Sequence, residues 1–411
     1  MEQLHHTDLS DLATDDLMES GSPFSFPEAP PRSTPQPPER QAPSLEKKST
    51  VRRLWEKLKN KPESDEPLSF FEFWPGWLFY TPIVAYWIAL GVRYRDFGLP
   101  TAANPLITTG GLCGENKSEI LDLAGPFARK YIAPYVILDT DRDDFARAKA
   151  ALVAKGIKGP IVVKPDVGCN GTGVKLARTD DALRDTLAQY PRGVRLVLQR
   201  LIPWDYEAGL FYIRHTDEPQ GRITSMTYKD VPMLLGDGVS TVSELLENDP
   251  RTRLLPEIYR PRLAARLHEV PAKGDTVPLV FTGNHCKGSV FRNGAVDITP
   301  ELSNIIDRIM QDFPEFHFGR IDVKFRSVEA LRQGKDFEII EVNGVGSEAT
   351  HIWDSRTTLR EAYAAQFHHY GEAFRIGAEN RRRGWKSTTL PAGIRLWLEQ
   401  RRLLRSYPLN D

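Results

Sequence analysis

GRIDVKF, residues 319–325, and IIEVNG, residues 339–344, decide how this chain is read. Asp322 lies in an apolar strand context between Ile321 and Val323. Glu341 and Asn343 are two residues apart, so on a strand their side chains share one face. Two carboxylates and an amide at the ends of two strands form a donor set that suits Mg²⁺ or Mn²⁺ held jointly with phosphates. A single acid of this kind reads as a strand-end surface charge. Three oxygen ligands downstream of a lysine and a glycine-rich loop favour the metal reading.

That lysine and loop lie upstream, in IVVKPDVGCNGTG, residues 161–173. Three β-branched residues predict a buried strand that delivers Lys164 at its end. Gly168, Gly171 and Gly173 follow, and a loop of this kind brings backbone N–H groups close to phosphate oxygens. No Gly-Lys-Ser/Thr closes it, so it is not a Walker A loop, nor is it G-x-G-x-x-G. Alone, such a segment is more often a hairpin or a surface turn than a phosphate loop.

The bulk properties set limits. The chain has 411 residues, 40% hydrophobic and 27% charged, with a formal net charge of −1. Such a chain folds around one large core or two to three ordinary ones, and its charge gives no case for nucleic-acid binding. Residues 1–50 carry nine acids against four bases, and residues 375–411 nine bases against three acids. Cys113, Cys169 and Cys286 are far apart with no C-x-x-C pair, which fits a reducing compartment rather than disulfides or zinc. The acidic N-terminus has no signal-peptide pattern, so a cytoplasmic location is expected.

Residues 1–68 are expected to be a disordered Pro/Ser-rich tail and linker, with one short charged helix. Residues 73–92 carry no charge and seven aromatic residues, with Pro75, Gly76 and Pro82 interrupting the run. They are expected to form a Pro-broken element that either caps the first domain or contacts a membrane. Helices are predicted at 117–130, 143–155, 180–189, 241–246 (capped by Thr241 with Glu244), 300–313 and 358–377. Strands are predicted at 161–163, 194–199, 207–214, 223–228, 321–325 and 337–341. A basic helical tail closes the chain. The alternation gives an α+β fold.

Taken together, residues 117–353 resemble the ATP-grasp family and are similar to its D-alanine–D-alanine ligase and cyanophycin synthetase-like branches. LLGDGVSTVSELL and VPAKGDTVPLVFTGNHCKGS resemble elements of the second branch. The resemblance implies an ATP-grasp fold, in which two α+β subdomains clasp ATP. It implies that Lys117 and Lys164 grip phosphates beneath the loop of Gly168, Gly171 and Gly173. Gln199, Arg200 and Ile202 would form the hinge at the adenine edge, Glu207 would hold the ribose, and Asn284 would lie at the phosphate end. Asp322, Glu341 and Asn343 would be ligands of Mg²⁺ (or Mn²⁺), and Arg320 would face the transferred phosphoryl group. The implied domains are a pre-ATP-grasp region at 69–128, subdomains at 129–235 and 236–372, and a tail at 373–411.

The implied activity is ATP-dependent ligation of a small-molecule carboxylate to an amine through an acylphosphate. An ATP-grasp kinase and a non-catalytic ATP-binding protein at a membrane remain open alternatives, as does the oligomeric state. Where the ligases carry a Thr-Ser-Pro-Gly type turn, this chain reads Asn343-Gly-Val-Gly-Ser-Glu-Ala-Thr-His351. That turn helps to bind the second substrate, so D-alanine is not the expected acceptor. His285 and His351 read first as structural residues, and Phe211 and Tyr212 as core.

Overall fold

The computed structural model describes residues 68–281, 283 and 288–409. The expected tail, Asn284 and His285 lie outside the described residues.

The strands are β1 (Tyr135–Asp139), β2 (Ile161–Pro165), β3 (Lys175–Ala177), β4 (Arg195–Arg200), β5 (Tyr206–Ile213), β6 (Arg222–Asp230), β7 (Met233–Leu235), β8 (Thr276–Pro278), β9 (Val290–Asn293), β10 (Phe318–Phe325) and β11 (Phe337–Asn343). The helices are α1 (Gly76–Tyr94), α2 (Lys117–Asp122), α3 (Asp144–Ala154), α4 (Asp180–Leu187), α5 (Val242–Asn248), α6 (Pro256–Tyr259), α7 (Pro300–Gln311), α8 (Val328–Arg332), α9 (Leu359–Arg382) and α10 (Leu390–Leu404). The fold is α+β. Its two principal sheets are antiparallel, in the orders β1-β4-β2-β3 and β11-β10-β5-β6-β9, and β7 pairs with β8.

The first sheet packs on α3 and α4 through Leu138, Ala148, Leu152, Val163, Leu183, Leu187, Leu196 and Leu198. The second lies between two helical layers. On one face, Leu210 and Tyr212 of β5 meet Leu302, Ile306 and Met310 of α7. On the other, Phe211 and Ile213 meet Ala373 and Ile376 of α9. A strand covered on both sides reads as a continuous apolar run, which Leu210–Ile213 is. The boundary between the sheets falls at 201–205. Tyr206–Asp230 therefore pairs with the second sheet.

Two elements differ from expectation. The helix expected over 117–130 ends at Asp122, because Gly125-Pro126 breaks it, and a 3₁₀ turn follows at Ala128–Tyr131. The expected interruption at Pro82 does not occur: α1 runs through it for 19 residues. Proline removes one ladder bond from a helix interior, and packing on α9 supports the helix here. Phe79 stacks on Tyr363 (5.4 Å between ring centres), Trp87 meets Phe374 edge-on (5.2 Å) and Tyr86 meets Phe367 (4.9 Å). The capping reading accounts for this face of α1. Among the described residues no helix is long and apolar enough to cross a membrane. The capping boxes Thr241/Glu244 and Thr358/Glu361 start α5 and α9.

Candidate active site

The second sheet presents one polar face, set by strand register. Antiparallel partners put directly opposed side chains on the same side. Arg320, Asp322 and Lys324 of β10 oppose Phe211, Gly209 and Glu207 of β5. On the far side of β10, Arg320 opposes Asn343 and Asp322 opposes Glu341. On β6, Thr227 opposes Gly209, and Lys229 reaches Glu207. Where α9 covers this face, Phe211 and Ile213 pack on Ala373 and Ile376. Beyond Phe211 the face carries charge and forms one wall of a cleft of about 530 Å³. Gly209 is essential to the layout. A Cβ there would lie 2.9 Å from Arg320 Cδ and 3.1 Å from Asp322 Oδ1, so only glycine leaves room for both side chains.

The charges on this wall are paired in a chain. Arg320 Nε donates to Asp322 Oδ1 at 2.8 Å. Lys229 Nζ lies 3.0 Å from both Asp322 Oδ2 and Glu207 Oε1. Asn343 Nδ2 lies 3.5 Å from Asp322 Oδ2. Burial alone would raise the Asp322 carboxyl, but Arg320 and Lys229 outweigh it and hold the group well below the ordinary carboxylate range. Burial also opposes ionisation of Glu341, and Lys117, Lys164 and Arg320 hold it below its usual value. Both acids are therefore ionised at neutral pH.

The opposite wall comes from the first sheet and α2. Lys164, at the end of β2, is buried; its ammonium donates to Gln199 Oε1 (2.7 Å) and to the Ile340 carbonyl (3.2 Å). Burial pushes this amine below the ordinary lysine range. Lys117 starts α2, donates to the Gly168 carbonyl at 2.7 Å and pairs with Glu341 at 3.1 Å. Asp166 fixes α2 against β2 by accepting from Ser118 N and Ser118 Oγ, both at 2.7 Å. The loop that follows turns through left-handed backbone at Asn170, Gly171 and Gly173. It is tied from outside by Tyr407, whose hydroxyl donates to the Val167 carbonyl at 2.9 Å.

Of the sequence candidates, Lys117, Lys164, Gly168, Gly171, Gln199, Arg200, Ile202, Glu207, Arg320, Asp322, Glu341 and Asn343 line this cleft. Gly173 does not line it: it packs on Pro165 and Tyr407, and its carbonyl accepts from Tyr190 Oη at 2.5 Å. Arg200 is held by Glu338, with both bonds at 2.8 Å. His351 is half-buried, its Nδ1 lies 2.6 Å from Ser225 Oγ, and desolvation pushes its imidazole down to about 4.

Sequence reading missed several lining residues. Lys324 was legible, since it stands two residues after Asp322 on the same strand face. Lys229 lies one residue past the strand expected to end at Tyr228. Glu115, Tyr80, Glu348, Thr350, Tyr370 and Gln400 also line the cleft, and no spacing in the sequence marks them. Among the described residues, no three His, Cys, Asp or Glu side chains gather into a metal site. The candidate donors are two acids and an amide. The acids lie within reach of Lys117, Lys229 and Arg320, so charge at this point is already concentrated for polyanion binding. The donor chemistry of Asp322, Glu341 and Asn343 fits Mg²⁺ or Mn²⁺.

No family model matches this chain, and no curated protein matches it. Solved structures similar to it include a bifunctional glutathione synthetase from Pasteurella multocida (17% identity, TM-score 0.34, covering 61% of this chain and 35% of that one). The VanG D-Ala:D-Ser ligase from Enterococcus faecalis is similar at 12% identity and TM-score 0.38, covering 65% of this chain and 64% of that one. The D-alanine–D-alanine ligase from Bacillus anthracis is similar at 12% identity and TM-score 0.37, covering 68% and 72%. The chain thus spans about a third of the glutathione synthetase and about two thirds of the VanG ligase.

Proposed function

We propose that this protein is an ATP-dependent carboxylate–amine ligase with an ATP-grasp site between its two principal sheets. One observation carries the reading. The paired acids Asp322 and Glu341 stand on one wall, and the phosphate-type grip of Lys117, Lys164 and the Gly168–Gly173 loop stands on the other. Polyanion and cation binding then share one cleft.

Asp322, Glu341 and Asn343 would hold Mg²⁺ (or Mn²⁺), which neutralises charge on the ATP phosphates when bound. Lys164 and Lys117 bind the phosphate chain. Gln199, Arg200 and Ile202 lie where a hinge would meet the adenine edge, and Glu207 where an acid would meet the ribose. A substrate carboxylate attacks the γ-phosphorus, ADP leaves, and an acylphosphate remains. Arg320 steadies the transferred phosphoryl group. An amine then displaces phosphate, and the product is an amide with ADP and free phosphate. Closure of the Gly168–Gly173 loop keeps water from the acylphosphate.

ATP turnover with pools of carboxylates and amines tests this. The expected result is ADP and phosphate released only when both partners are present, with hydroxylamine trapping a hydroxamate. Stable retention of phosphate on a product would instead establish a kinase.

A further inference from the structure

The cleft contains two acids that take part in no ion pair among the described residues. Lys117 is paired with Glu341, and Lys229 and Arg320 are paired with Asp322. Among the described residues, neither Glu115 nor Glu348 forms an ion pair, yet both line the cleft. Glu115 is half-buried, burial pushes its carboxyl up, and its Oε2 has no hydrogen-bond partner among the described residues. Glu348 is set differently. It lies on the loop after β11, and its side chain is held by neutral donors alone. Tyr80 Oη donates to Oε1 at 2.8 Å and Gln366 Nε2 to the same oxygen at 2.7 Å. Trp353 Nε1 approaches Oε2 at 3.4 Å. The carboxylate is therefore fixed in position by neutral donors; Arg320 donates to the Glu348 backbone carbonyl at 3.3 Å but pairs with Asp322 rather than with this carboxylate.

A second, independent observation marks the same place. Thr350, two residues on, is only 6% exposed and lines the cleft, and its hydroxyl has no partner among the described residues. A buried hydroxyl left unsatisfied costs on the order of 1–3 kcal/mol, so such an atom on a cavity wall points to a ligand that satisfies it. Tyr370 lines the cleft beside these residues. The arrangement is an anionic anchor, a spare hydroxyl and aromatic walls, which is the chemistry that receives an ammonium group.

We propose that Glu348 is the ammonium-binding residue of the cleft, so that a substrate of this enzyme carries a protonated amine seated on Glu348 with Thr350 beside it. Tyr80 and Gln366 are positioning residues: they touch Glu348 and fix its carboxylate. Through Tyr80, the aromatic helix α1 becomes part of the substrate site. The inference rests on the ligase reading for the word substrate, but its binding geometry stands without it.

The test uses the full chain and four probes of similar size: alaninamide (cationic), alanine (zwitterionic), and lactamide and lactate, in which a hydroxyl replaces the ammonium. Calorimetry is run with and without Mg²⁺ and a non-hydrolysable ATP analogue. The expected result is binding of alaninamide to the wild type about 10-fold or more tighter than lactamide, with that preference lost in Glu348→Gln. Tyr80→Phe should weaken alaninamide binding by a smaller factor, since it loosens the anchor without removing its charge. Equal binding of the two amides, no binding of either ammonium probe, or unchanged preference in Glu348→Gln overturns the proposal. Circular dichroism of each variant separates misfolding from lost binding. Affinity for the ATP analogue is a separate readout, and its absence in the wild type defeats the ligase reading while leaving the ammonium result to stand or fall alone.

Discussion

Asp322 on β10 and Glu341 on β11 stand directly opposite each other in an antiparallel ladder. Their carboxylates therefore leave the sheet on one face, and each is already flanked by a cation, Asp322 by Arg320 and Lys229, Glu341 by Lys117. The pair is the hinge of the proposed chemistry, because through Glu341 and Lys117 it joins the wall built by the second sheet to the wall that carries Lys117 and Lys164.

Asp322→Asn should lower ATP turnover by roughly 100-fold or more, as expected when a preorganised charge is removed from a reacting site. It should also lower the melting temperature more than Glu341→Gln does. The first change leaves two buried cations short of a partner and the second leaves one, and an uncompensated buried charge costs on the order of 3–5 kcal/mol. Turnover and thermal melts of both variants measure this. Wild-type turnover in the double variant removes the site from this face of the sheet.

Lys164→Met should separate binding from stability. The lysine amine is buried, and burial depresses its basicity. Its bonds go to Gln199 and to the Ile340 carbonyl rather than to a carboxylate. A methionine of similar volume relieves that desolvation, so the fold should survive with little change in melting temperature. ATP affinity, however, should fall by roughly 10–100-fold through loss of a charge-assisted phosphate contact. Calorimetry with ATP decides, and unchanged affinity assigns Lys164 to structure alone.

The two β-strand segments that begin the sequence reading were legible because strand alternation places Asp322, Glu341 and Asn343 without tertiary information. The capping box at Thr241 and the β-branched run before Lys164 were legible for the same reason: their signals are local. The continuity of α1 was not, because Pro82 argues locally against a helix and only the aromatic face of α9 supports one. Nor was the assignment of β5 and β6 to the second sheet, which depends on long-range pairing of Glu207 with Lys324 and Gly209 with Asp322. Glu348 carries no motif at all. Its environment is assembled from Tyr80 and Gln366, far apart in the chain.

His215 makes stability pH-dependent. Its Nε2 lies 2.6 Å from Glu372 and its Nδ1 2.9 Å from Glu379, both on α9, so each ring nitrogen faces a carboxylate. Burial lowers the imidazole's basicity, but the bonds to Glu372 and Glu379 outweigh it and raise the group to about 9. A raised value in the folded state means the contribution is complete below the unfolded value of about 6.5 and is lost as pH rises through about 9. At its full extent it is on the order of 3 kcal/mol. Melting temperatures of wild type and His215→Gln should differ most near pH 6 and converge by about pH 10. A constant gap across that range places the stabilisation in packing instead.

Gly344→Ala should be more damaging than its exposed-loop counterparts. Gly110 and Gly111 lie backbone to backbone with the turn after β11: Val345 N donates to the Gly110 carbonyl at 3.0 Å and Gly346 N to the Gly111 carbonyl at 2.7 Å. A Cβ on Gly344 would sit 2.2 Å from the Gly110 oxygen and 2.8 Å from the Gly111 Cα, both backbone atoms that cannot move aside alone. This contact holds the segment bearing Leu112 and Glu115 against the one bearing Glu348, so it sets one end of the cleft. Overpacking of a rigid contact costs about 1–3 kcal/mol, and the displaced loops carry cleft residues. Gly156 is the control. It turns at φ +68° with nothing within 4 Å of its would-be Cβ, so Gly156→Ala should cost only the left-handed strain of roughly 1–2 kcal/mol. Chemical denaturation of both variants compares the costs, and substrate affinity separates them further: Gly344→Ala should weaken alaninamide binding, whereas Gly156→Ala leaves it intact. If both variants bind alaninamide as the wild type does, the glycine contact acts on stability without shaping the cleft.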